Sequence, residues 1–214
     1  MTEAEWLACD DPSRMIEHLR ERFRPRWLRR LLRPSDERPV HRKLRLFVGY
    51  NTLSYYPFGC DNADREAILD DIVRWAEGQP TQRTGAPRVF WMFWAECCSG
   101  GNFKIFRTPW EEAERASAAP SPPGSLIGTS ECALLRDIFG NPFRPVSVDP
   151  SWLTSDVVAL ASQMYESRDF SAMPILADAL QDAGCDNEDI LNHCRGEDVH
   201  VRGCWVVDLV LRKG

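Results

Sequence analysis

Five residues of metal-ligating type, Cys185, His193, Cys194, His200 and Cys204, fall within twenty positions near the end of this 214-residue chain. Zinc takes about four nitrogen or sulfur ligands in a tetrahedron, so the residue types suffice for a site. The spacing, Cys-x7-His-Cys-x5-His-x3-Cys, matches no common zinc module. His193 and Cys194 are adjacent, so on a helix their side chains diverge. Cys204 stands beside Trp205 and Val206 and reads as a small core hydrophobe. Ordinary buried thiols are the simpler interpretation of this stretch, and zinc the sharper one. A nucleophilic pair made from His200 and Cys204 would need helical i,i+4 spacing. Gly203 and the β-branched Val201, Val206 and Val207 disfavour that spacing.

Two charged groups carry other chemistry. Asp178, Asp182, Asp186, Glu188 and Asp189 lack the alternating ligands and the sixth-position glycine of a calcium loop. A solvated helix face with a cap accounts for them. Between Arg20 and Arg45 stand eleven Lys or Arg against Glu21, Asp36 and Glu37, a local balance of +8. The formal net charge is −6, which leaves −14 on the remainder. Interleaved Phe23, Trp27 and Phe47 suit stacking on bases while the arginines contact phosphates. The i,i+4 pattern also fits a solvated arginine face above apolar residues turned to a core. Arg26, Trp27, Arg29, Arg30 and Arg33 are the residues expected to meet a partner here. The segment RWLRRLLR is too short to lie alone on an anionic membrane.

The elements that must position these groups are mostly short helices. Thr2-Glu3-Ala4-Glu5 reads as a capping box, and Asp10-Asp11-Pro12-Ser13 ends that helix and opens another carrying Met15, Ile16, Leu19 and Phe23. In KLRLFVGYNTLSYYPF, Leu44, Leu46 and Val48 alternate like a strand while Leu44, Phe47 and Val48 also fit a helix, and helix is favoured; Asp61 to Glu77 is amphipathic with early acidic residues. Residues 88–108, aromatic runs around Ser99-Gly100-Gly101, suit a β-hairpin, with a buried helix over Val89 to Cys98 as the alternative.

The C-terminal punctuation is sharper. Leu134, Leu135, Ile138 and Phe139 form a helix stopped at Gly140-Asn141-Pro142. Thr154 or Ser155 caps a helix through Met164, Pro174 opens the next, and Gly184 closes it. Asp186 caps a further helix with Asp189 in the capping-box position. The tail VRGCWVVDLVL is a buried strand or helix whose acid, Asp208, needs a partner if internal.

The expected fold class is mainly α, in one or two small domains. Residues 1–116 form an N-terminal helical region, 117–129 a Pro/Ser-rich linker, and 130–214 a compact helical module. A content of 43% hydrophobic and 27% charged residues fits a globular chain and argues against disorder. The longest apolar runs, VFWMFWA and CWVVDLVL, fall far short of the roughly 20 residues of a membrane span. The acidic opening MTEAEWLACDD is unlike a signal peptide, so the expected location is the cytoplasm and the eight cysteines are expected as thiols. No CxxC occurs.

LLRDIFGNPFRPV, WLT, PILADALQDAGCDNEDILNHCR and HVRGCWVVDLVL together resemble a module recurrent in uncharacterised planctomycete-type bacterial proteins. The opening MTEAEWLACDDPSRMIEHLR, with RKLRLF, resembles the usual start of the same proteins. The resemblance covers both ends of the chain, while Val48 to Ser130 departs from the more plainly helical, alanine-rich middle of the family. No established activity accompanies that family, so the resemblance implies no catalytic residue. The expected function is a non-enzymatic protein-interaction or scaffolding unit with a protein partner and no cofactor. The alternatives are a nucleic-acid-associated protein using residues 20–45, and a zinc- or thiol-dependent enzyme built on residues 185–204.

Overall fold

The computed structural model describes residues 1–23, 42–47, 49–50, 69–74, 76–77, 79 and 131–213. Those residues are 66% helical and contain no strand, so the mainly-α expectation holds for them. The hairpin expected over 88–108, the linker at 117–129 and the arginine-rich 24–41 lie outside the described residues. No described helix is long and apolar enough to cross a membrane.

The chain divides into two units, one made of Met1–Ala8 with Ala133–Gly214, the other of Cys9–Cys132. In the second unit, α2 (Pro12–Phe23) starts where the Asp11 carboxylate accepts the Ser13 N–H at 2.9 Å. Met15, Ile16 and Leu19 recur at helical spacing and are fully buried. Residues 42–47 and 69–74 are helical as expected, burying Leu44, Leu46 and Phe47 from the former and Ile72 and Val73 from the latter.

The first unit carries the chemistry. Its opening helix, α1 (Glu3–Ala8), begins with the expected capping box: Thr2 N–H donates to Glu5 Oε2 at 2.6 Å, and Glu5 N–H to Thr2 Oγ1 at 3.3 Å. Then follow α3 (Glu131–Phe139), a 3-10 turn (Pro150–Trp152), α4 (Ser155–Ser167), α5 (Met173–Asp182), α6 (Glu188–Arg195) and α7 (Trp205–Val210). The tail is therefore helical where the sequence left strand and helix open.

Helix α5 packs between α4 and α6, and α7 closes against α4 and α6. Val157, Ala161, Met164 and Tyr165 of α4 meet Met173, Leu176, Ala177 and Leu180 of α5 in one core, each set on a single helical stripe. Each large side chain in that core contributes about 1.5–3 kcal/mol by leaving water.

The joints are local chemistry. Thr154 caps α4 by accepting the Val157 N–H at 3.3 Å. Gly184, at φ +94°, lets α5 end in a Schellman motif: Cys185 N–H donates to Leu180 carbonyl and Gly184 N–H to Gln181 carbonyl, both at 2.9 Å. One expected cap is corrected. Asn187, not Asp186, begins α6, and its side chain accepts the Ile190 N–H at 3.1 Å. The three-residue reach of an Asx cap to Ile190 starts at 187, which leaves Asp189 within the first turn, where its charge favours the helix dipole.

Candidate metal centre

Four side chains from three separated segments converge in the first unit. Asp137 stands in the last turn of α3, His193 in the last turn of α6, and His200 and Cys204 flank the turn that leads into α7. One ligand atom from each lies within 4.8 Å of the other three. Asp137 Oδ1 is 2.7 Å from His200 Nδ1 and 3.3 Å from His193 Nε2. Cys204 Sγ is 3.2 Å from His193 Nε2 and 3.9 Å from His200 Nδ1.

Each group is aimed by its own local structure. The Asp137 carboxylate is pinned by its other oxygen, Oδ2, which accepts the Val201 N–H at 3.0 Å and leaves Oδ1 facing the cluster. The 201–203 turn is closed by Cys204 N–H donating to Val201 carbonyl at 2.9 Å, with Gly203 at φ +101°. Arg202, inside that turn, donates through Nε to the Tyr165 carbonyl and through a terminal nitrogen to the Glu166 carbonyl at 2.8 Å. It thereby satisfies orphan carbonyls at the end of α4 and ties the turn to the core. The Trp205 ring lies 5.2 Å from the His193 ring. The same indole packs over Gly140, where a Cβ would sit 3.1 Å from the ring, so the stop of α3 and the end of α6 share one aromatic wedge.

The cluster is secluded. Asp137 and Cys204 are buried, and the His200 and His193 side chains are only 5% and 16% exposed. Burial pushes the Asp137 carboxyl upward, but hydrogen bonds from His193 and His200 and their charge outweigh it, holding Asp137 below its ordinary value. Burial pushes the Cys204 thiol well above its ordinary value, and the nearby Asp137 charge adds to that; the Val207 and Val206 amides oppose it.

Two chemistries use these residue types, and the ring nitrogens separate them. A Cys–His–Asp relay needs one imidazole to face sulfur with one nitrogen and carboxylate with the other. Here His193 turns the same nitrogen, Nε2, to both Cys204 and Asp137. His200 turns Nδ1 to both, while its Nε2 is buried without a hydrogen-bond partner among the described residues. Four ligand atoms gathered within 4.8 Å of one another are instead an arrangement that could hold a metal ion. Ligands at about 2.0–2.3 Å from zinc stand roughly 3.3–3.7 Å apart in a tetrahedron; four of the pairs here stand 2.7–3.9 Å apart and the whole set falls within 4.8 Å. Two imidazoles, one thiolate and one carboxylate are a zinc-type set; calcium or magnesium would take oxygen alone. A dication with one thiolate and one carboxylate is also electroneutral, which suits a buried site.

Of the five sequence candidates, His193, His200 and Cys204 come together. Cys185 and Cys194 instead pack in the apolar core, where burial pushes the Cys194 thiol up to about 12. The ordinary buried-thiol interpretation holds for those two. Cys204 is likewise fully buried, but its sulfur faces both imidazoles. Asp137 was missing from the sequence set. Its signal was an acid between Leu134, Leu135 and Ile138 on the buried face of a short helix. The acidic residues read as a solvated face behave as surface partners: Asp178 pairs with Arg195 at 2.8 Å, and Asp189 with Arg144 at 3.5 Å. Arg26, Trp27, Arg29, Arg30 and Arg33 lie outside the described residues. No family model, curated protein or solved structure matches this chain.

Proposed function

We propose that residues 1–8 and 133–214 form a zinc-stapled helical module with a non-enzymatic role, an interaction or scaffolding unit for a protein partner. The observation that carries this reading is the convergence of Asp137, His193, His200 and Cys204 within 4.8 Å in a buried position. Its closed character supports a structural role. Four protein ligands fill a tetrahedral shell, whereas a catalytic zinc keeps one position for water or substrate. The metal would join the end of α3, the end of α6 and the start of α7, three segments that also meet through the Val201 amide on Asp137 and the Trp205 ring over Gly140.

Metal analysis tests this directly. Protein purified without added metal should carry about one zinc per chain, and a strong chelator should lower its melting temperature reversibly. Protein that retains no zinc, takes none up, and melts identically with and without zinc would overturn the reading.

A further inference from the structure

Polar contacts from Arg136, Asn141 and Arg144 hold α1 onto the segment that carries Asp137. The Arg136 guanidinium donates twice to the Trp6 carbonyl, at 3.0 and 3.3 Å, in the last turn of α1. A cation on an orphan carbonyl at a helix C-terminus is favourable on both charge and hydrogen-bond grounds. The Glu3 carboxylate accepts from Asn141 Nδ2 at 2.7 Å and pairs with Arg144 Nε at 2.6 Å. Arg144 also reaches Asp189 Oδ1, at 3.5 Å, in the first turn of α6.

None of these residues is a candidate ligand, yet Arg136, Asn141, Arg144 and Asp189 sit on or just after an element that carries one. Arg136 immediately precedes Asp137. Asn141 and Arg144 follow the Gly140 stop of α3, which Trp205 clamps against the His193 side of the site. Asp189 opens the helix that ends at His193. The receiving surface for α1 therefore lies on α3 and the segment after it, and Arg144 links that surface to the first turn of α6 through Asp189. A six-residue helix is too short to persist alone in water, so α1 depends on that surface.

Resting on the zinc reading above, we infer that the metal centre is a latch for the N-terminus. Metal loading fixes the arrangement of α3 and α6 that receives α1, and α1 docking tightens the metal in return. The two effects are one coupling free energy and must be equal in size. Losing the metal releases the first helix and uncovers Trp6, which is fully buried in the docked state.

The reciprocal limb gives the decisive experiment, on the full chain. Zinc affinity is measured by competition with a chromophoric chelator for the wild type, for Glu3→Ala, and for Glu17→Ala as an exposed control on α2. Glu3→Ala should weaken zinc by about fivefold or more, within the usual range of coupling between sites, while the control leaves it unchanged. Hydrogen exchange with zinc bound and removed supplies the other limb: amides of α1 should lose protection on removal while those of α5 keep theirs. Unchanged zinc affinity in Glu3→Ala overturns the latch, whatever exchange shows, and leaves the metal centre standing. Failure of the wild type to bind zinc at all overturns the metal centre and the latch with it.

Discussion

Asp137→Asn separates a metal centre from an ordinary buried hydrogen-bond cluster. The substitution keeps the size of the side chain and removes its charge. The wild-type carboxylate accepts on both oxygens, Oδ2 from Val201 N–H at 3.0 Å and Oδ1 from His200 at 2.7 Å, whereas an amide offers one acceptor. One of those bonds is lost, at about 1.5–3 kcal/mol for a charge-assisted case. Relief from burying a carboxylate offsets part of it. Metal-free protein should therefore lose only about 1–2 kcal/mol.

Metal-loaded protein should behave differently. With free zinc a thousandfold above Kd, ligation stabilises the folded state by about 4 kcal/mol. For a small domain that is about 15–30 °C in Tm. The asparagine variant has lost an anionic ligand and the charge balance of the site, so most of this increment should vanish. The assay is a thermal melt of both proteins with zinc and with excess chelator, alongside metal content by mass spectrometry. Wild type should drop steeply with chelator, and the variant should melt at nearly the same temperature in both conditions. A merely destabilising substitution lowers both curves and preserves the chelator response. Stoichiometric zinc in Asp137→Asn, with the full chelator-dependent drop retained, would refute the assignment of Asp137 as a ligand.

Cysteine replacements should divide in the same way. Cys204→Ser should reduce zinc content, whereas Cys194→Ser, in the apolar core, should lower Tm and leave stoichiometry at about one, both read by metal analysis and melts. Gly140→Ala should cost more than Gly184→Ala in chemical denaturation. Both have positive φ, but the new methyl at 140 meets the Trp205 ring at 3.1 Å while at 184 it meets nothing within 4 Å; the strain at 184 alone is about 1 kcal/mol. In metal-free protein, the depressed Asp137 carboxyl contributes stability that is present above its unfolded value, about pH 4, and is lost as pH falls through its lower folded value. An acid titration followed by circular dichroism should therefore show a limb that Asp137→Asn lacks.

Much of the helical framework is legible in the sequence because its determinants are local. The Thr2–Glu5 capping box, the Thr154 cap, the glycine at 184 and the apolar stripes of α2, α4 and α5 each follow from residues within one or two turns. The choice between Asp186 and Asn187 as the start of α6 turns on a one-residue shift that composition cannot decide, since both side chains cap. Whether the last segment is strand or helix is equally undecided in the sequence, because Trp205 to Val210 is a short apolar run broken by Asp208 alone and periodicity does not separate the two.

The candidate site fails to announce itself for a physical reason. Spacing templates for zinc work when two ligand pairs are each fixed by a local turn. Here His200 and Cys204 are such a local pair, but His193 reaches them from the preceding helix, and Asp137 from a helix more than fifty residues earlier in the chain. That fourth ligand is positioned by tertiary packing, through Trp205 on Gly140 and the Val201 amide on Oδ2, and neither contact leaves a trace in residue spacing. What the sequence does carry is a thermodynamic oddity: an aspartate on the apolar face of ECALLRDIF. A helix that buries Leu134, Leu135 and Ile138 must bury Asp137 with them, and a buried carboxylate requires cationic or hydrogen-bonding partners. Here His200 and His193 face its Oδ1 and the Val201 amide its Oδ2, while the Cys204 sulfur faces the two imidazoles. A dication would fit the same cluster, since Asp137 and a Cys204 thiolate together would supply two negative charges.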